Sequence, residues 1–261
     1  MIIDFHTHYF PEFIAKQTVD MLAEFSGIPY YGDGTINGLL EFMKKDGVSL
    51  SVNLPVATKP EQVPGINKKM VENNKKGLPV INFGCIHPLY KNNPEQLVFL
   101  AENGVKGIKI HPEYQNISPD DDSLLPVYET CVKHGLIILY HAGADHGYNE
   151  IHGTPKKFAE ILKINGLKLV LAHMGSYQMW DDVEKYLVGK NVYFDTGDCN
   201  GMNNAQLKNM ILNHSADKIL FATDFPWESA TNIINKIKSL NLGADIENKI
   251  FSDNAVKLLK L

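Results

Sequence analysis

A His-x-His pair near the start of the chain is the first feature that could do chemistry. His6 and His8 flank Thr7 at the end of a short β-rich run. In a strand, residues i and i+2 point to the same face, so both imidazoles can reach one metal ion. Chance alone can place two histidines at this spacing, so the pair needs partners elsewhere in the chain.

Other histidines and one acid stand where later apolar runs end and a loop-forming residue follows. These residues are His87, His111, His141, His173 and Asp224. His141, His173 and Asp224 add the imidazole and carboxylate groups that a catalytic zinc site requires. Each has an ordinary alternative, because a histidine can hydrogen-bond in the core and Asp224 can cap the loop that follows it. The joint pattern favours a metal site.

The order of elements predicts how these residues meet. Strands are predicted at 2–6, 49–54, 80–87, 107–111, 136–141, 168–173, 192–195 and 219–224. Helices are predicted near 11–25, 61–76, 94–102, 124–134, 155–164, 180–187, 204–212 and 230–239, with a terminal helix at 254–259 and an extended connection at 26–37. Eight alternating units predict an α/β protein, a single (β/α)8 TIM barrel in which residues 1–261 form one domain. The polar strand ends then gather on the rim where barrel enzymes place their catalytic groups.

Several motifs resemble those of the amidohydrolase superfamily, in particular its second amidohydrolase group, which also includes decarboxylases of aromatic acids. The matching segments are Ile3-Asp4-Phe5-His6-Thr7-His8, His141-Ala142-Gly143, Leu171-Ala172-His173-Met174-Gly175, Phe221-Ala222-Thr223-Asp224-Phe225-Pro226-Trp227 and Phe251-Ser252-Asp253-Asn254-Ala255. They span nearly the whole chain in the family order. The resemblance implies that His6, His8, His141 and Asp224 hold a divalent metal, most simply Zn²⁺.

The resemblance leaves two residues with alternative roles. His173 either binds a second metal or polarises the substrate, because members of the group differ here. Lys109 lies in phase with His111 on the fourth predicted strand. Some binuclear members carry a carboxylated lysine on that strand, while an anion-binding or structural lysine is the other interpretation.

Composition limits the partners. The net charge is -5 and the pI is near 6.0, which leaves no basic surface for nucleic acid. No apolar stretch approaches the ~20 residues of a membrane span, and the first residues do not form a signal peptide. Three widely spaced cysteines form no disulfide framework or metal knuckle. We therefore expect a cytoplasmic enzyme with a small-molecule substrate and leave a homo-oligomer open.

The expected function is metal-dependent hydrolysis of a small amide, lactone or ester. Metal-bound water attacks, Asp224 transfers the proton, and His173 stabilises the developing charge. We expect Lys109, His111, His87 and Trp227 to contact the substrate. The alternative is a metal-dependent decarboxylase or hydratase of an aromatic or unsaturated acid, and a third hypothesis is a metal-binding scaffold without catalysis.

Overall fold

Nine short strands form the centre of the molecule in the computed structural model, which describes residues 1–261. They are β1 (Ile3–Thr7), β2 (Leu50–Asn53), β3 (Val80–Asn82), β4 (Gly84–Cys85), β5 (Gly107–Ile110), β6 (Ile137–Tyr140), β7 (Lys168–Leu171), β8 (Tyr193–Asp195) and β9 (Ile219–Leu220). All neighbouring pairs are parallel. Strands β3 and β4 are two parts of one strand, because the intervening Phe83 N–H still bonds to the Asn53 carbonyl at 3.0 Å.

The first and last strands meet and close the barrel. The Phe5 N–H donates to the Phe221 carbonyl at 2.9 Å, and the Asp224 N–H donates to the His6 carbonyl at 2.9 Å. A parallel bridge joins Thr7 to Phe225. These contacts bring the amino-terminal His-x-His pair beside Asp224, so the predicted TIM barrel is confirmed.

Twelve α-helices surround or cover the strands. They are α1 (Glu12–Ser26), α2 (Ile36–Asp46), α3 (Val63–Asn74), α4 (Asn93–Glu102), α5 (Pro112–Gln115), α6 (Leu125–His134), α7 (Pro155–Ile161), α8 (Trp180–Tyr186), α9 (Asn204–His214), α10 (Ala230–Ser239), α11 (Ala244–Asn248) and α12 (Asn254–Leu259). None is both long and apolar enough to cross a membrane.

Strand periodicity separates the core from the site. Ile108 and Ile110 are buried in the larger apolar cluster together with helix residues such as Leu97. Alternate side chains of a strand point to opposite faces, so Lys109 and His111 are directed away from that cluster. The same alternation that builds the core therefore places polar groups at the rim.

The first β/α connection differs from the prediction. Helix α2 was not predicted, yet it buries Leu39, Phe42 and Met43 in the larger core cluster. Its start is capped by Thr35, whose side chain accepts from the Gly38 N–H at 2.9 Å. Helix α1 buries only Ala15 and Val19, and neither belongs to a core cluster. The helix that packs against the barrel core after β1 is therefore α2, and α1 is an additional helix.

Candidate metal centre

Three side chains at the junction of the first and last strands form a compact set of ligand atoms. His6 Nε2, His8 Nε2 and Asp224 Oδ1 are 3.1 Å from one another. Three ligands held about 2.2 Å from one ion and at right angles would be about 3.1 Å apart. The three atoms therefore fit a single divalent cation.

Hydrogen bonds on the outer side fix how the two imidazoles present their nitrogens. His6 Nδ1 lies 3.0 Å from Asp195 Oδ2, and His8 Nδ1 lies 2.8 Å from the Leu54 carbonyl oxygen. Both partners are acceptors, so each Nδ1 carries the proton and each Nε2 keeps a lone pair for the centre. Metal-binding histidines are oriented by such outer partners, and the arrangement supports ligation.

His141 and His173 form a second pair of inward-facing nitrogens. His173 Nδ1 donates to the Gly197 carbonyl at 2.9 Å, and His141 Nε2 contacts the Ala144 carbonyl at 3.3 Å. Their remaining nitrogens, His173 Nε2 and His141 Nδ1, are 3.1 Å apart. Two lone pairs at this distance need a proton or a cation between them.

His141 is the predicted ligand that lies farthest from the compact set. Its ring is 4.8 Å from the His173 ring, which in turn is 5.4 Å from the His6 ring. The structure therefore brings three of the four predicted ligands together, and the His173 ring separates His141 from them.

Charge at the centre follows from burial. Burial raises the pKa of Asp224, but His6 and His8 outweigh it and hold that pKa below its usual range, so the carboxylate is ionised. Lys109 Nζ lies 3.0 Å from His6 Nε2, and burial lowers the pKa of Lys109 to about 8. Burial also lowers the pKa values of His6 and His141. Neutral imidazoles beside an ionised carboxylate are the donor set that a divalent metal binds.

A second polar group lies beside the histidines. His111 Nε2 is 3.5 Å from Asp145 Oδ2, and the His111 ring stacks on His141 at 4.2 Å between ring centroids. Glu113 Oε1 accepts from the N–H groups of His152 and Gly153, which anchors the end of the 142–154 loop. Burial raises the pKa of Asp145 to about 7, so this acid holds a proton up to neutral pH.

One cavity of about 1000 Å³ contains these groups. Among the predicted site residues, the cavity wall includes His6, His8, Lys109, His111, His141, His173, Asp224 and Trp227. His87 is absent from the wall, and its Nδ1 accepts from the Leu89 N–H at 3.2 Å, so the structure gives it a turn-forming role instead. Trp180, the first residue of α8, also lies outside the wall, and its indole N–H donates to the His173 carbonyl at 3.1 Å.

Three acids of the site are not among the residues predicted from the sequence to bind metal or substrate. Asp195 ends β8, so an apolar run closing in an acid could have drawn attention to it as it did to Asp224. Asp145 and Glu113 lie after β6 and β5, in segments without a distinctive motif. Their positions depend on loop folding, which residue spacing does not reveal.

Comparison with known proteins gives a family and a fold. The amidohydrolase family model matches residues 82–261. A 5-carboxyvanillate decarboxylase from Sphingomonas paucimobilis superposes with a TM-score of 0.75 at 15% identity, covering 100% of this chain and 99% of the other. A TIM-barrel protein from Bordetella bronchiseptica gives 0.78 at 18% identity, covering 99% and 98%.

A third similar structure contains a metal. It is a dihydroxybenzoic acid decarboxylase from Polaromonas sp. JS666 with bound manganese and 2-nitroresorcinol, an inhibitor, with a TM-score of 0.76 at 18% identity over 100% and 97% of the two chains. At these identities the likeness shows the fold alone. No curated protein sequence matches the chain.

Proposed function

Because the chain belongs to the amidohydrolase family, we propose that it is a metal-dependent enzyme that removes the carboxyl group of an aromatic acid. The observation that carries this proposal is the shared cavity, in which the candidate metal-ligand atoms, a buried lysine and the carboxyl group of Asp145, whose pKa burial raises to about 7, face the same space. Two structural relatives are decarboxylases of substituted benzoic acids, which supports this substrate class.

The donor set indicates where a metal would bind. His6, His8 and Asp224 would hold a divalent ion, and His141, which lies beyond the His173 ring, would join the set only if its side chain moved toward it. Nitrogen and carboxylate donors suit both manganese and the zinc expected from the sequence, and manganese occurs in a structural relative. When bound, the ion supplies positive charge that attracts and polarises substrate oxygens.

Decarboxylation replaces a carbon–carbon bond by a carbon–hydrogen bond: an aryl carboxylate and one proton give the arene and carbon dioxide. The proton must come from an acid near the ring carbon. Asp145 fits this role, because it lines the cavity and burial raises its pKa to about 7, so that a large fraction of it carries a proton near neutral pH. Lys109 and His111 would position the anionic oxygens, and a proton shared between His173 Nε2 and His141 Nδ1 would fix the orientation of these two rings.

Substrate recognition must proceed without arginine, because the chain contains none. The bidentate carboxylate contact that arginine provides is therefore absent. Lys109 is the cation buried beside the histidines, and Trp227 offers an aromatic wall. A carboxylate held by a metal and one lysine fits this composition.

Hydrolysis is the second candidate, and one observation favours it. The ionised Asp224 could accept a proton from a water molecule in the cavity, and a divalent ion, when bound, would make that water more acidic, as expected for hydrolysis of an amide, lactone or ester. The two reactions consume different reagents, so their products separate them.

The test is product analysis with the manganese-loaded and the zinc-loaded protein. Hydroxybenzoates labelled with ¹³C in the carboxyl group should release labelled carbon dioxide, and one deuterium from D₂O should enter the ring. A panel of lactones and amides in ¹⁸O water tests hydrolysis. Asp224→Asn should lower turnover by orders of magnitude, whereas the same change at the exposed Asp121 should not. Release of ¹⁸O-labelled acid without carbon dioxide would contradict decarboxylation.

A further inference from the structure

Helix α1 presents an apolar face to the cavity instead of the barrel core. Its outer face carries Lys16, Asp20 and Glu24 at helical spacing, and Lys16 pairs with Asp20 at 2.7 Å. Its cavity-lining side chains include Ile14, Thr18, Met21, Leu22 and Phe25, also at helical spacing. The buried residues of this amphipathic helix are Ala15 and Val19, and its apolar stripe borders the open space of the cavity.

This stripe is unusually accessible for large apolar side chains. Phe13 is 87% exposed, Met21 58% and Phe25 53%. Ile66 and Met70 of α3 line the same cavity and add further apolar surface to it. Exposed apolar side chains clustered in one cavity indicate a ligand-binding surface more than ordinary packing.

The apolar wall is continuous with the metal centre. Phe25, at the far end of α1, contacts Tyr148 of the 142–154 loop with ring centroids 5.6 Å apart. The same loop carries Asp145, and Tyr148 also lies 5.6 Å from the Tyr114 ring. The cavity of about 1000 Å³ is at the upper end of small-molecule sites, and one substituted benzene ring would occupy only part of it.

We propose that the α1 stripe is a second subsite that binds an apolar substituent of the substrate, an alkyl chain or a further ring attached to the aromatic acid. This inference rests on the proposed function, because the acid group is taken to bind at the metal centre. The occupant is part of the substrate because one cavity contains both the stripe and the polar groups. A second copy of the chain covering α1 is the competing occupant.

The test is a series of non-reactive ligands on the manganese-loaded protein. Benzoate and its 4-ethyl, 4-butyl and 4-hexyl derivatives are titrated by calorimetry. Burial of each added methylene should tighten binding about twofold to fourfold. In Met21→Gln/Leu22→Gln the gain should fall below twofold per methylene, while benzoate affinity stays unchanged. Glu24→Gln, on the outer face of the same helix, is the matched control and should keep the full gain.

The single variant Met21→Gln serves if the double variant does not fold, because Met21 is already largely exposed. The subsite would be refuted if ligand affinity in the wild-type protein did not rise with alkyl length. It would also be refuted if both glutamine variants kept the full rise in affinity per methylene. Sedimentation data in which the glutamine variants dissociate a dimer would refute it as well. If the protein releases carbon dioxide from a hydroxybenzoate but affinity does not rise with alkyl length, the proposed reaction is supported and the subsite is refuted. If affinity rises with alkyl length but no hydroxybenzoate is turned over, the subsite is supported and the proposed reaction is refuted.

Discussion

Asp195→Asn tests whether the outer hydrogen bonds make the centre a metal site. Asp195 Oδ2 accepts from His6 Nδ1 at 3.0 Å, while Oδ1 accepts from the N–H groups of His173 and Gly197, each at 3.0 Å. Asparagine can replace only one of these oxygens, since its other terminal atom is an NH₂ donor. Both orientations of the amide are therefore costly.

In one orientation the new amide nitrogen faces the two backbone N–H groups and leaves them unsatisfied, at about 1 to 3 kcal/mol each. In the other it donates to His6 Nδ1 and moves the imidazole proton to Nε2, the atom that faces His8 and Asp224. The second orientation should be favoured, because it keeps the hydrogen bonds from the N–H groups of His173 and Gly197. His6 then no longer offers its lone pair to a metal.

We expect Asp195→Asn to weaken metal binding about 10-fold to 100-fold, which is about 1.4 to 2.7 kcal/mol. Competition with a chromophoric chelator measures the affinity, and ¹⁵N NMR of the imidazoles reports which His6 nitrogen is protonated. Asp121→Asn is the control, because Asp121 accepts only from the local Ser123 N–H in an exposed turn. Unchanged metal affinity together with an unchanged His6 tautomer would refute the reasoning.

Further outcomes follow from the same geometry. Replacing His6 and His8 together by Ala should abolish metal binding at the centre, measured by elemental analysis; undiminished metal content would exclude them as ligands. Lys109→Met should keep that metal and raise KM for an anionic substrate about tenfold or more, because a buried cation is lost; loss of one of two ions would instead show a lysine that bridges metals. Turnover should fall about tenfold per pH unit above roughly 7, because the pKa of Asp145 is raised to about 7 and its protonated form is required. Asp145→Asn should remove most activity at every pH, and a profile that rises through pH 7 would exclude Asp145 as the proton donor.

The sequence predicts the positions of the strands well, because parallel strands that are buried on both faces consist of short runs of apolar residues. The predicted starts and ends agree closely for β1 and β6, and the polar residues at the strand ends reach one cavity. The barrel followed from the count and alternation of these runs. Regular local patterns were sufficient for that level of the fold.

The same patterns do not predict the structure of the first β/α connection. Both α1 and α2 have helical periodicity, and apolar spacing does not say which helix packs on the barrel. The sequence therefore predicts the first helical pattern as the barrel helix and does not reveal the helix at Ile36–Asp46. The difference decides the shape of the cavity, because the additional helix α1 forms one wall.

The sequence predicts most residues of the candidate site, but it does not predict which of their side chains face the cavity. His6, His8 and Asp224 meet as expected, whereas His87 lies outside the cavity wall because its ring is used in a turn. A strand-end histidine has the same sequence signature in both roles. Only the fold around it determines whether the free nitrogen faces the cavity.

The tautomers of the four central histidines depend mainly on backbone atoms. His8, His141 and His173 contact the carbonyl oxygens of Leu54, Ala144 and Gly197, and side-chain substitution cannot remove these acceptors. His6 alone uses a side chain, Asp195, which also bonds to the His173 backbone. The orientation of His6 and the position of His173 are therefore linked through one carboxylate. A change at Asp195 should therefore alter both the His6 side chain and the position of His173 without replacing any candidate metal ligand. Among the hydrogen bonds that orient these four histidines, the bond from His6 to Asp195 is the one that a side-chain substitution can remove.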